Sequence, residues 1–239
     1  MNKKALVTGA SRGIGEAIAR KLAKEHYDLY LTCLHSEEKL RSLATYLEEE
    51  YNVSVGAFLC DMSSYKEVER LFRHIPSLDV LINNAGISHI GLLSEMSCEE
   101  WQKVINTNLS SLFYTSKKTI PLMLQKHRGK IINISSVWGS CGASMEVAYS
   151  ASKGGVDSFT KALAKELAPS GIQVNAIACG LINTEMNLGL SEEERRALID
   201  EIPASRMGNA AEVAEMVCSV LSMPSYTTGQ IFTIDGGWR

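Results

Sequence analysis

Tyr149 and Lys153 stand four apart in the run Tyr149-Ser150-Ala151-Ser152-Lys153. In the opening turn of a helix this spacing puts both side chains on one face. An ammonium held near a phenol favours the phenolate. At about 5 Å and an effective dielectric of about 20 the attraction is about 3 kcal/mol, or about two pK units. A tyrosine assisted in this way trades a proton nearer neutral pH. The spacing alone fits two solvated side chains equally well, so its meaning depends on what the rest of the chain places around it.

A second chemical signature lies near the start. Ala5-Leu6-Val7 reads as a buried strand. It runs into Thr8-Gly9-Ala10-Ser11-Arg12-Gly13-Ile14-Gly15, and then into Glu16–Glu25, where Ile14, Ile18 and Leu22 recur at helical spacing. Strand, glycine turn and helix N-terminus suit a dinucleotide phosphate site, in which glycines admit the pyrophosphate and free N–H groups hold it; a tight structural turn is the alternative. The spacing is G-x-x-x-G-x-G rather than G-x-G-x-x-G.

The second strand, Leu29–Cys33, ends in Leu34-His35-Ser36, where an NAD site usually places an acid. Glu37 reads as already helical. With no carboxylate to repel a 2′-phosphate, and with Arg12, His35 and Ser36 able to bind one, the expectation is NADP(H) over NAD(H). Arg12 and His35 are alternatively only exposed.

The remaining strands read as Val53–Leu59, Val80–Ile82, Lys130–Ile134, Ile172–Ile177 and Ile231–Ile234. After the third come Asp61 and Met62, where Asp61 either meets the adenine or caps the next turn. After the fourth come Asn83, Asn84, Ala85 and Gly86, which suit close approach of backbone to a ligand. Ser64 with Glu67, Ser97 with Glu100, and Ser191 with Glu194 read as capping boxes. A long helix is predicted from Ser97 to about Lys126, with Pro121 near its end and Asn108 ill-placed in its middle. Ser135 and Ser136 follow the fifth strand. The helix bearing Tyr149 runs to about Ala168 on a stripe of Val156, Phe159, Leu163 and Leu167, and its Gly154 and Gly155 call for close packing or ligand approach. A final helix spans about Ala210–Leu221. Residues 184–207 form an insertion that could act as a lid.

Alternating strands and helices predict an α/β, three-layer, doubly wound Rossmann fold with a parallel sheet of about seven strands, formed as a single unit over residues 1–239. The unusual residues all fall at the strands' carboxyl ends, where such folds bind ligands. The net charge of -3 shows no polybasic segment, so nucleic acid and membrane are not expected partners. The six cysteines form no C-x-x-C pair, so no metal and no disulfide framework is expected, and a cytoplasmic location is. The apolar stretch near Met1 is too short for a signal sequence.

These residues together resemble the short-chain dehydrogenase/reductase family over essentially the whole chain. Thr8–Gly15, Asn83–Gly86, Asn108, Ser136, Tyr149-x-x-x-Lys153 and Gly180…Thr184 carry the resemblance. It implies a catalytic tetrad of Asn108, Ser136, Tyr149 and Lys153. Ser136 would bind a carbonyl, Tyr149 would donate its proton, Lys153 would lower the phenol's pKa and hold the nicotinamide ribose, and Asn108 would position a water. It also implies cofactor contacts from Gly9, Ser11, Gly13, Ile14, Gly15, Asn84, Ile182 and Thr184, and a homotetramer. Within the family the chain is similar to bacterial 3-oxoacyl-[acyl-carrier-protein] reductases, which implies an acyl carrier protein partner and fatty acid biosynthesis. Cys179 departs from their usual proline, which is expected to loosen the loop that follows.

The segment from Trp138 to Val147 is similar instead to a subgroup resembling elongation factor P 5-aminopentanone reductases, as are Ser88-His89-x-Gly91 and Gly237-Trp238. There Glu146 would pair with a substrate ammonium, with His89 and Trp138 beside it. Glu146 equally suits capping of the next helix or solvent, and Trp138 and His89 equally suit packing. A non-catalytic cofactor-binding regulator is the alternative from another class, disfavoured by the complete tetrad.

Overall fold

Short apolar runs flanked by glycine and asparagine form the strands β1 (Lys4–Val7), β2 (Asp28–Cys33), β3 (Val55–Leu59), β4 (Val80–Asn83), β5 (Gly129–Ser136), β6 (Ile172–Cys179) and β7 (Ile231–Ile234). The computed structural model describes residues 2–187 and 191–239. The strands make one seven-stranded sheet in the order β3-β2-β1-β4-β5-β6-β7, and every neighbouring pair is parallel. The predicted Rossmann architecture is present, with the change of winding direction between β1 and β4.

Helices α1 (Gly13–Lys24), α2 (Glu37–Tyr51) and α9 (Ala210–Ser222) cover one face. Helices α3 (Tyr65–Phe72), α5 (Ser111–Leu124) and α7 (Val147–Leu167) cover the other. The two-residue period of a strand divides the core between them. Ala5 and Val7 of β1 pack with Ile18, Leu22, Leu40 and Val217, whereas Leu6 packs with Val68, Leu71, Met123 and Leu163. Both faces are buried, so the central strands read as apolar runs without alternation.

The predicted long helix is three pieces. Helix α4 (Cys98–Ile105) opens on a complete Ser97–Glu100 capping box. A π-helical turn follows at Asn106–Ser110, and α5 ends at Leu124. The inserted residue of a π turn re-aims a side chain; here it turns Asn108 inward, where it is 1% exposed. The Ser64–Glu67 box is only half made. Ser64 accepts from the Glu67 N–H, but Glu67 Oε2 takes the N–H of Asp61 at 2.7 Å instead of that of Ser64. The Ser191–Glu194 box is complete and opens α8 (Glu192–Asp200). The first helix begins at Gly13, three residues before the reading from apolar spacing, because the phosphate turn is already helical there.

Gly154 and Gly155 are packing residues. A Cβ on Gly154 would lie 3.0 Å from the Gly139 carbonyl oxygen, and one on Gly155 would lie 2.7 Å from a Leu109 methyl carbon. Beneath the catalytic edge, Thr115 Oγ1 donates to Asn83 Oδ1, Asn83 Nδ2 to Asn133 Oδ1, and Asn133 Nδ2 to Thr160 Oγ1, each at 2.8 Å. This buried ladder fixes β4 and β5 against α5 and α7 with every donor matched. Among the described residues no helix is long and apolar enough to cross a membrane.

Candidate active site

Thr8 sits where β1 meets the glycine turn, and its Oγ1 accepts the N–H groups of Asn84 and Ala85, both at 3.0 Å. Asn84 returns the contact, its Nδ2 donating to the carbonyls of Thr8 at 2.9 Å and Gly9 at 3.1 Å. Thr8 and Asn84 thereby clamp the ends of β1 and β4 around the turn. Asn84 acts on the loop rather than standing free, and Thr8 was not singled out from sequence. Gly9 and Gly13 have φ of +65° and +56°, which L side chains resist. A Cβ on Gly15 would lie 2.2 Å from the Gly9 carbonyl oxygen. No side chain caps the start of α1 at Arg12. A cradle open only to glycine, facing an uncapped helix N-terminus, fits a dinucleotide pyrophosphate.

The region expected to take a 2′-phosphate differs from the sequence reading. Arg12 Nη1 lies 2.8 Å from Glu185 Oε2, and Lys39 Nζ lies 3.5 Å from Glu185 Oε1. A carboxylate does stand here, brought from beyond β6 rather than from the end of β2. Lys39 is an unforeseen second cation. The flanking cations hold the Glu185 carboxyl below the usual carboxylate range. His35 is exposed, and Ser36 takes the N-cap position of α2 without using its hydroxyl as a cap. Asp61 spends Oδ1 on the N–H and hydroxyl of Ser63, at 2.8 and 2.7 Å, which makes a turn of the kind read as its alternative role. Met62 is buried against the Thr32 hydroxyl.

Ser136 closes β5, in register with Cys179. Tyr149 lies in the first turn of α7 and Lys153 one turn later, its Nζ 5.6 Å from the Tyr149 ring centroid. Lys153 is 5% exposed and donates to the Ile134 carbonyl at 2.8 Å. Burial holds its ammonium down at about 8. Burial also pushes the Tyr149 phenol above its usual range, and the adjoining Ser136 hydroxyl pulls the other way. The lowered phenol expected from the pair's spacing is not found. Loss of solvation dominates, and the neighbouring Cys179 and Glu146 push the phenol the same way.

Asn108 has both ends of its amide engaged. Oδ1 accepts from the Ile87 N–H at 2.8 Å, and Nδ2 donates to the Ile87 carbonyl at 2.8 Å and to Ser152 Oγ at 3.0 Å. It binds the chain after Gly86 to α7, and a Cβ on Gly86 would meet Asn108 Oδ1 at 3.3 Å and Lys153 Nζ at 3.7 Å. Ser152 and Ile87, its partners, carried no sequence signal. Beyond β6, Ile182 is buried and bridges to Gly208, while Thr184 packs over Gly13. Cys179 itself is held firmly in the sheet. It is paired to both Ser136 and Ile234, its carbonyl accepts from the Val137 N–H at 3.0 Å, and burial raises its thiol to about 12.

Trp138 opens the short helix α6 (Trp138–Cys141) beside Ser136. Glu146 occupies the N-cap position of α7, but its carboxylate makes no capping bond. It is half-buried, reached by the Trp138 side chain and near enough to Tyr149 to disfavour the phenolate. Burial raises its own pKa. Gly91 N–H donates to the Met145 carbonyl at 2.8 Å, so the His89 turn lies against this segment, with His89 beside Gly91 and near Glu100. Of the predicted lid, residues 188–190 lie outside the described residues.

Comparison with known proteins adds the lineage. The family model described as short chain dehydrogenase matches residues 3–195. The chain belongs to the short-chain dehydrogenase family. It is 38% identical over 241 residues to the uncharacterized oxidoreductase YmfI of Bacillus subtilis, covering all of both chains. It is 40% identical over 242 residues to the 3-oxoacyl-[acyl-carrier-protein] reductase FabG of Staphylococcus aureus, covering 99% of this chain and 98% of that one. Among solved structures it is similar to a variant of actinorhodin polyketide ketoreductase crystallised with NADPH. That match has a TM-score of 0.92 and 37% identity, covering 99% of this chain and 97% of that chain.

Proposed function

We propose that this oxidoreductase reduces a carrier-borne ketone to a secondary alcohol with NADPH, as a 3-oxoacyl-[acyl-carrier-protein] reductase does. The observation that carries the reading is the meeting of Ser136, Tyr149 and Lys153 at the carboxyl end of β5, beside the glycine cradle. When bound, NADPH supplies the hydride. Gly9, Ser11, Gly13, Ile14 and Gly15 would hold its pyrophosphate, Arg12 and Lys39 its 2′-phosphate, Ala85 and Gly86 its ribose side, and Ile182 and Thr184 its carboxamide.

Ser136 holds the carbonyl oxygen. Tyr149 donates its proton to that oxygen, and a raised pKa suits this direction because the phenol stays protonated until an alkoxide, a far stronger base, develops. Lys153, titrating at about 8, exchanges a proton readily near neutral pH and restores the tyrosine. Asn108 fixes Ile87 and Ser152, and through them the walls around Lys153. By the resemblance, a water near Asn108 would complete the relay to solvent, although the Asn108 amide is already engaged by Ile87 and Ser152. Self-association as a homotetramer accords with Phe113, half-exposed on α5.

Glu146 favours a second substrate class. A half-buried carboxylate with no cap to make, set beside the tyrosine, suits a substrate ammonium a few carbons from the ketone, as in 5-aminopentanone borne on elongation factor P. NADPH consumption with an acetoacetyl thioester and with an aminoketone on its carrier tests both. Activity on either supports the reductase reading, and activity on neither removes it. Glu146→Gln is expected to harm only the aminoketone reaction; equal losses on both would sink the cationic reading.

A further inference from the structure

Trp138 is held from outside the segment that carries it. Its ring centroid lies 4.8 Å from that of Trp238, the planes meeting at 62°. The Arg239 guanidinium carbon stands 4.4 Å from the Trp238 centroid and 5.1 Å from that of Trp138. Glu201, the residue that ends α8, accepts from Trp238 Nε1 at 3.2 Å and from Arg239 Nη2 at 2.9 Å. Trp238 is 7% exposed and packs with Ile202 and Leu198 from the same end of α8, and with Val137 and Leu181. The turn beneath is fixed as well: Asp235 accepts from the N–H groups of Gly237 and Arg239, both at 2.9 Å.

We propose that Trp238, Arg239 and Glu201 form a brace that holds Trp138, whose backbone N–H donates to Ser136 Oγ at 3.2 Å, as a wall of the substrate site. This deepens the reductase reading and rests on it. The three are positioning residues, since none of them reaches Ser136, Tyr149 or Lys153 in the structure. An indole turns about two side-chain torsions. A cation over its ring and a second indole against it remove that freedom before substrate arrives. Pairing with Glu201 cancels the Arg239 charge, so the cation that holds the wall does not neutralise Glu146 or repel a cationic substrate. Because Glu201 is the C-cap of α8 and Leu198 lies within that helix, the brace also ties α8 to the wall.

The test measures kcat, KM for whichever ketone is turned over, the NADPH dissociation constant, and the near-ultraviolet circular dichroism of the coupled indoles. Arg239→Gln and Trp238→Leu should each raise KM on the order of tenfold, with kcat and NADPH affinity within about twofold. Trp238→Leu should also remove the indole coupling signal. Trp238→Phe, which keeps the apolar packing and loses the Glu201 contact, should fall between. Should Trp238→Leu fail to fold, Arg239→Gln and Glu201→Gln, both outside the core, decide. Unchanged KM in these variants overturns the brace, and so does a parallel loss of NADPH affinity, which would mark general loosening. If the wild-type protein reduces no ketone, the reductase reading fails and takes the brace with it.

Discussion

Around Gly9–Gly15 the structure is held by backbone atoms and its smallest side chains, whereas around Trp138–Glu146 it is held by its largest. On the cofactor side, Thr8 and Asn84 stitch two strand ends together, and the glycines leave space that any Cβ would fill. On the substrate side, two tryptophans, an arginine and two glutamates define the wall. The first construction fixes a shape common to every nucleotide of its class. The second can be re-specified by exchanging a few side chains while the sheet stays as it is. Tyr149 and Lys153 lie between them, on a helix that Lys153 itself ties to β5 through the Ile134 carbonyl.

The largest effect should come where the two regions meet. Tyr149→Phe removes the proton donor and keeps the ring, so turnover should fall by about a thousandfold or more while NADPH affinity stays within about twofold. Single-turnover NADPH oxidation beside a cofactor titration reads both, and residual turnover near the wild-type level would remove Tyr149 from the chemistry. Gly15→Ala attacks the cofactor side alone. Its Cβ would press the Gly9 carbonyl oxygen and Asn84 Nδ2, at 2.2 and 2.6 Å, and neither can retreat without opening the clamp. Overpacking of about 1–3 kcal/mol corresponds to about five- to 150-fold weaker cofactor binding. Unchanged affinity by isothermal titration would show that the turn yields, contrary to the contrast drawn above.

Buried Lys153 provides a third, intermediate effect. Between about 8 and its ordinary value of 10.5 the folded protein has lost a proton that the unfolded chain still holds, so stability rises with pH through that window. Tyr149 acts oppositely above its ordinary value of 10.0, where the unfolded chain ionises first. The buried thiols of Cys60, Cys179 and Cys218, raised from 9.0, also act oppositely, so the lysine contribution between about 8 and 10 is read only as a difference from a variant that lacks it. Relative to Lys153→Met, the wild-type protein should gain stability there, on the order of 1 kcal/mol per pH unit at most. Urea midpoints of both proteins at the two ends of the interval measure it, and a flat difference would place the lysine in a more solvated setting than its 5% exposure indicates.

The same contrast explains what could be read in the chain beforehand. Glycine turns, strand-end asparagines and capping serines are legible because a backbone conformation demands those residue types locally. Asn108 was legible as a misfit in a helix, and the π turn is what the misfit signified. The partners of Asn108, Ser152 and Ile87, are ordinary residues whose role exists only after α4 and α7 meet. Trp138 with Trp238, and Arg12 with Glu185, are pairs distant in sequence whose contact requires the finished sheet. The direction of the Tyr149 shift is not legible from spacing for the same reason: spacing places a cation nearby, while the loss of solvation that dominates comes from the whole fold.

Glu185 blurs the division and offers its finest test. It is carried by the residues after Thr184 yet pairs with Arg12 of the glycine turn and Lys39 of α2. If these cations receive a 2′-phosphate, the carboxylate must share or release them. Removing its charge should then strengthen NADPH binding and leave NADH binding unchanged. All three side chains are well exposed, so water and salt screen the competition. The expected gain for Glu185→Gln is therefore modest, about two- to threefold in NADPH affinity at low ionic strength, and it should fade as salt is added. Lys39→Gln should move NADPH affinity the other way by a similar factor, again without touching NADH. Parallel changes for both cofactors in either variant would mean that the triad governs how this segment covers the whole dinucleotide, rather than how its 2′-position is read.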